Sequence, residues 1–217
     1  MKTNTQFFVA WVALSALGMA TGVLIAAQIV VLAITHGDFL RALPSGFPLI
    51  AVMLVAGAGH GLAMGATQSV LLRARIGVSR LRWTLVTGAV AAVAWMLGAS
   101  FSFFDRDPWT LTRQADAIVI GGACLGALVG AGQWLVLRRH VSFSYAWIPI
   151  NSLAWIAGTG LGAVGIAMFP SDPTPLQVAI GTALATLVPG AAVGALTGAI
   201  LLAFTWSPRR AVTATQE

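Results

Sequence analysis

Charge is scarce in this sequence. Asp, Glu, Lys and Arg together make up 8% of its 217 residues, where a soluble domain carries about a quarter. With 58% hydrophobic residues and a mean hydropathy of +0.89, the apolar surface exceeds what one core can hide. A water-exposed globule is therefore excluded, and a bilayer is the solvent such side chains require. Cysteine is nearly missing too. Cys124 stands alone, so no internal disulfide and no CxxC pair exists, and it reads as a small buried residue of an apolar segment. Paired intramembrane carboxylates, GxSxG, HExxH and a phosphate-binding P-loop are all absent, which argues against an enzyme. A nucleophile such as Ser69 beside His60 stays open, and no cofactor is indicated. The net charge is +6 with a pI near 11.4. Nucleic acid is rejected as a partner, because the basic residues lie between apolar stretches.

Six stretches are long and apolar enough to cross a hydrocarbon layer, about 6–35, 48–72, 82–104, 115–137, 145–169 and 175–205. Their continuous, non-alternating character selects helices over barrel strands, so the expected fold is an all-α polytopic membrane protein. The first stretch is too long for a signal-peptide core and reads as an uncleaved span. Pro189 inside the sixth is expected to kink that helix without ending it. Lys2, Arg73, Arg75, Arg80, Arg82, Arg138, Arg139, Arg209 and Arg210 fall on one side of the alternating spans. Arg41, Arg106 and Arg113 fall on the other, together with Asp38, Asp105, Asp107 and Asp172. Short loops rich in Lys and Arg stay on the cytoplasmic side. Both termini are therefore expected in the cytoplasm, in a bacterial inner membrane, with the arginines touching anionic lipid. Trp11, Trp83, Trp147 and Trp206 lie near the inner span ends, and Phe103, Phe104, Trp109 and Phe169 near the outer ones. Aromatic belts at the headgroup level are the expectation. Asp116 is expected in the first turn of the fourth span, beside Arg113.

The even-numbered spans repeat a pattern. Gly57, Gly61, Gly65 and Gln68 precede Leu72-Arg73, and Gly122, Gly126, Gly130 and Gln133 precede Leu137-Arg138 at a constant offset. Gly190, Gly194 and Gly198 follow in the sixth span, with Leu201 where glutamine would stand. Positions 0, 4, 8 and 11 share an arc of roughly 80° on a helix, so each triplet opens a groove for close helix approach. Spans three and five share a weaker feature, Ala94-Trp95 with Gly98 and Ala154-Trp155 with Gly158. We read a single transmembrane domain followed by a short tail, 206–217. It consists of three parallel hairpin repeats, about 6–72, 82–138 and 145–205, with spans two, four and six gathered together. The tandem GxxxGxxQxxxLR hairpins resemble those of small uncharacterised bacterial multi-pass membrane proteins, over most of the chain, and the resemblance implies no activity. The plan of three two-helix repeats is also similar to that of mitochondrial carriers. Their acidic and basic signature after a helix-kinking proline is absent here, and their function is not carried over.

His60 is the one ionisable residue clearly at mid-span depth, a candidate proton relay, pigment ligand or interhelical hydrogen-bond partner. Gln68, Gln133 and Asn151 would either line a polar cavity or tie helices together. Two functions follow. One is a non-enzymatic structural or accessory protein that packs with itself or with a membrane partner through its glycine faces and arginines. The alternative is a small-solute transporter or channel with its polar site at His60, Gln68, Gln133 and Asn151.

Overall fold

The computed structural model describes residues 3–36, 47–104, 111–168 and 174–206. Among them the chain is almost entirely helical, with α1 (Asn4–His36), α2 (Phe47–Ile76), α3 (Arg80–Phe104), α4 (Leu111–Leu137), α5 (Trp147–Ala167) and α6 (Pro175–Trp206). All six are long and apolar enough to cross a membrane. A hydrocarbon solvent favours this outcome, because a helix satisfies its own backbone. Lys2, Asp38, Arg41, Asp105, Arg106, Asp107, Trp109, Phe169, Asp172, Arg209 and Arg210 lie outside the described residues. So do the side chains of Phe103, Phe104, Arg113 and Trp206.

The connections follow from local chemistry. Gly77 ends α2 with φ +72°, and its N–H reaches the Arg73 carbonyl at 3.1 Å, the left-handed cap that glycine adopts without strain. Ser79 then caps α3, its hydroxyl accepting the Arg82 N–H at 3.4 Å. A single 3-10 turn, Ser144–Ala146, leads from α4 into α5. Thr174 and Gln177 form a reciprocal capping box at the start of α6. Pro189 lies within α6, which continues through it.

Every helix packs against its neighbours in sequence, and α1 also packs against α6, so the six close into a ring. The α3–α4 contact is by far the thinnest. No pair of even-numbered helices makes a substantial contact, so spans two, four and six are not gathered together. Their glycine faces turn instead to odd-numbered neighbours. A Cβ at Gly57 would lie 2.7 Å from the Ala91 carbonyl of α3, and one at Gly65 2.9 Å from Thr84 Cα. At Gly122 and Gly126 it would lie 2.9 and 2.6 Å from Ile156 and Ser152 Cα of α5. At Gly190 and Gly194 it would lie 2.7 and 2.9 Å from Ala16 and Val12 Cα of α1. Gly61 and Gly130 make the same kind of approach, to Gly88 and Ile148, while Gly198 meets the Trp11 and Phe8 rings of α1. Each ladder thus receives the following odd helix, and α6 receives α1. Such backbone-to-backbone contact is what small residues allow between helices in lipid.

Three further expectations change. Cys124 is exposed on the outside of α4 and is not a buried residue. Asp116 is exposed and lies beyond the first turn of α4, which begins at Leu111. Trp11, Trp83 and Trp147 do not face outward at the helix ends. They are 0–1% exposed and form the core together with Phe7, Leu72, Leu137 and Leu201.

Candidate functional site

The buried polar residues occupy two levels inside the ring. The first lies near the end that bears the arginines. Trp11 and Trp147 meet edge to face with centroids 6.5 Å apart, and Trp83 and Trp147 at 6.2 Å. These rings come from α1, α3 and α5, helices that make no substantial direct contact, so they meet across the middle of the ring.

An indole N–H taken from water needs an acceptor, and the even helices supply one. Trp83 Nε1 donates to Gln68 Oε1 (3.4 Å), and Trp147 Nε1 to Gln133 Oε1 (2.9 Å). Trp11 Nε1 donates to Thr197 Oγ1 (3.0 Å), the hydroxyl one turn before Leu201. Each glutamine also donates backwards: Gln68 Nε2 to Ser15 Oγ (3.3 Å), and Gln133 Nε2 to Thr87 Oγ1 (3.1 Å). Ser15, Thr87 and Asn151 each follow a tryptophan by one helical turn. Asn151 has no glutamine opposite it, and its amide returns to the Trp147 carbonyl at 2.9 Å. A belt of paired groups thus runs around most of the ring. Gln68, Gln133 and Asn151 belong to it.

His60 does not. It lies two turns further along α2, 4% exposed. Trp95 Nε1 donates to His60 Nδ1 at 3.1 Å. Indole only donates, so this nitrogen is the acceptor, and a neutral imidazole then carries its proton on Nε2. That nitrogen lies 3.2 Å from Met19 Sδ. Both ring nitrogens are therefore engaged, by helices on either side of α2. Trp155 completes the group with its ring edge-on to His60 at 6.3 Å. Its Nε1 is buried and has no hydrogen-bond partner among the described residues. Beside it lies a small cavity walled by His60, Met64, Ala91, Trp95, Leu125, Val129 and Trp155.

The Ser69 hydroxyl donates to the Ala66 carbonyl of its own helix at 2.7 Å, not to His60. No cluster of His, Cys, Asp and Glu suited to a metal ion occurs among the described residues. At the arginine end, Arg73, Arg80, Arg82, Arg138 and Arg139 are exposed. Arg138 lies over the Trp134 ring at 5.3 Å. Arg75 is half-buried and ties α2 to α1, donating to Asn4 Oδ1 at 2.6 Å and covering the Phe7 ring.

The partners of the expected site residues carried a sequence signal that glycine spacing alone does not contain. Trp11-Ser15, Trp83-Thr87 and Trp147-Asn151 repeat Trp-x-x-x-polar at the start of each odd helix. Trp95 and Trp155 carry the weaker Ala-Trp-x-x-Gly feature shared by spans three and five, and Met19 carries no such signal. Compared with known proteins, the chain matches no family model, no curated protein and no solved structure.

Proposed function

We propose that this is a non-enzymatic integral membrane protein of structural or accessory type, spanning a bacterial inner membrane six times with its arginine-bearing end in the cytoplasm. One observation carries the reading. The polar residues that a solute path would use, Gln68 and Gln133, are bonded to Trp83, Trp147, Ser15 and Thr87. Beside them, three buried tryptophans fill the middle of the ring. Charge asymmetry supports the orientation. The resemblance of the glycine–glutamine hairpins to those of small bacterial membrane proteins supports the compartment.

We read the ring as three repeats about a pseudo-threefold axis. The tight-packing units are α2–α3, α4–α5 and α6–α1, the last divided between the two ends of the chain. Three equivalent glycine ladders and three tryptophans that each donate to the neighbouring even helix support it. The glycine faces are filled within the chain, so a membrane-protein partner or second copy would meet the outward apolar faces and the exposed arginines. The same arginines suit anionic lipid, at about 1 kcal/mol per residue near a charged surface.

The test is purification from the native membrane in mild detergent, with the mass of everything that travels with the protein. A stoichiometric protein partner is expected. A lone protein that moves a small solute into liposomes, and stops when His60 is replaced by Ala, would overturn this reading in favour of transport.

A further inference from the structure

The belt leaves the His60 level unexplained, and an unmet hydrogen bond lies there. Trp155 of α5 is 7% exposed and lines the cavity, and its buried indole N–H has no acceptor among the described residues. A buried donor left without an acceptor is costly, the more so where hydrocarbon replaces bulk water. His60, on the same wall, cannot serve it. Its Nδ1 already receives Trp95, and its Nε2 carries the ring proton. Thr87 of α3 lines the cavity too and is 1% exposed. Its oxygen accepts from Gln133 Nε2 at 3.1 Å. A hydroxyl accepts twice and donates once, so Thr87 keeps capacity after that bond.

The size of the space decides what can meet the donor. About 10 Å³ is open to the centre of a water molecule, close to the roughly 10–15 Å³ that one buried water needs. A larger ligand has no room. The occupant must accept from Trp155 and find a second partner between walls that are otherwise mostly apolar, among them Ala91, Leu125 and Val129. Water meets both demands. Its oxygen accepts the indole N–H, and a bond to Thr87 Oγ1 supplies the second of the two to four partners that hold a buried water. Cavities that stay empty are apolar, and the Trp155 N–H breaks that condition.

We propose that one water molecule is bound here as part of the fold, accepting from Trp155 Nε1 of α5 and hydrogen-bonded to Thr87 Oγ1 of α3. The bridge joins two helices that make no substantial direct contact. It also ties the His60 level to the belt. The chain of bonds leaves α5 at Trp155, passes through Thr87 of α3 and Gln133 of α4, and returns to α5 at Trp147. The site goes beyond the structural reading above, which stands if the water is not found.

The test uses the full chain in lipid nanodiscs with indole nitrogens labelled for NMR. Trp155→Phe identifies the Trp155 signal among the eight tryptophans. Rotating-frame cross-peaks between water and each indole N–H are then measured, since direct contact and chemical exchange give opposite signs. The expected result is a direct-contact peak at the Trp155 N–H and none at Trp83 or Trp147, which have protein acceptors. Val129→Ile adds a methylene to the cavity wall. It should abolish the Trp155 peak while the Trp83 and Trp147 signals stay in place. The measurement on the unaltered chain decides by itself. A Trp155 N–H with no water peak would overturn the proposal, and so would one that exchanges as fast as an indole open to solvent. A direct peak that survives in folded Val129→Ile would place the water elsewhere and overturn the site.

Discussion

Thr197 accepts the Trp11 indole because Leu201, one turn on, has replaced the glutamine found at the other two corners of the belt. Replacing Thr197 with Val would bury that N–H without a partner and cost about 1–3 kcal/mol, read as a lower unfolding temperature in detergent. Adding Leu201→Gln returns an acceptor to the position that Gln68 and Gln133 hold in their own helices, with Asn151 opposite as the second partner. The double variant should recover most of the loss. If it is no more stable than Thr197→Val alone, the three corners are not equivalent and the repeat reading fails. Single residues were only partly legible in the sequence. His60 stood out as an ionisable group in mid-span, and Gln68 and Gln133 as amides needing partners. The partners come from other helices at sequence separations that no local pattern records: Met19 and Trp95 for His60, Ser15 for Gln68. Trp11, Trp83 and Trp147 were misplaced for a related reason. An indole near a helix end fits a headgroup belt as well as an interior acceptor, and only the acceptor on the neighbouring even helix decides.

Among the elements, α4 offers a comparison within one helix. A Cβ on Gly126 would strike the Asn151 carbonyl and lie 2.6 Å from Ser152 Cα, atoms of a backbone that cannot turn aside. A Cβ on Gly121 would meet nothing within 4 Å. Gly126→Ala should therefore destabilise by about 1–3 kcal/mol or more through overpacking. Gly121→Ala should be neutral or gain up to about 1 kcal/mol from helix propensity. Arg80→Gln, on an exposed residue, should be nearly silent. Equal unfolding temperatures for Gly126→Ala and Gly121→Ala would contradict the close approach of α4 and α5. The ladders were legible as faces, because a spacing of four keeps them on one side of a helix. Which helix fills them was not. The pattern is equally compatible with even helices meeting each other, and Trp-x-x-x-polar on the odd helices is what would have pointed to the alternate arrangement.

For the molecule as a whole, composition settled the helical spans within a few residues, since a hydrocarbon solvent demands length and apolarity that chance rarely supplies. Ring closure by α1 and α6 was beyond it, depending on contacts between the two ends of the chain. Large exposed side chains such as Leu17, Leu62, Leu97, Ile120, Leu153 and Leu184 point outward on all six helices, the pattern of a surface solvated by acyl chains. With tryptophans packed across the middle, the protein in liposomes should not raise ion leakage above that of empty vesicles. Trp147→Ala should cost about 3–5 kcal/mol in detergent before it opens any path. Ion flux through the unaltered protein would refute the filled interior.

Orientation has its own test. Cys124 is exposed on α4 well away from both helix ends, so in a bilayer it faces lipid and should not react with a membrane-impermeant maleimide from either side. Tyr145, 64% exposed in the α4–α5 connection at the arginine end, is open to solvent if that end is cytoplasmic. Tyr145→Cys should then label in inverted vesicles and stay silent in intact cells. The reverse pattern would turn the molecule over. The arginine count would then no longer set its direction, and the anionic-lipid contacts proposed for Arg73, Arg80, Arg82, Arg138 and Arg139 would have to be sought on the opposite leaflet.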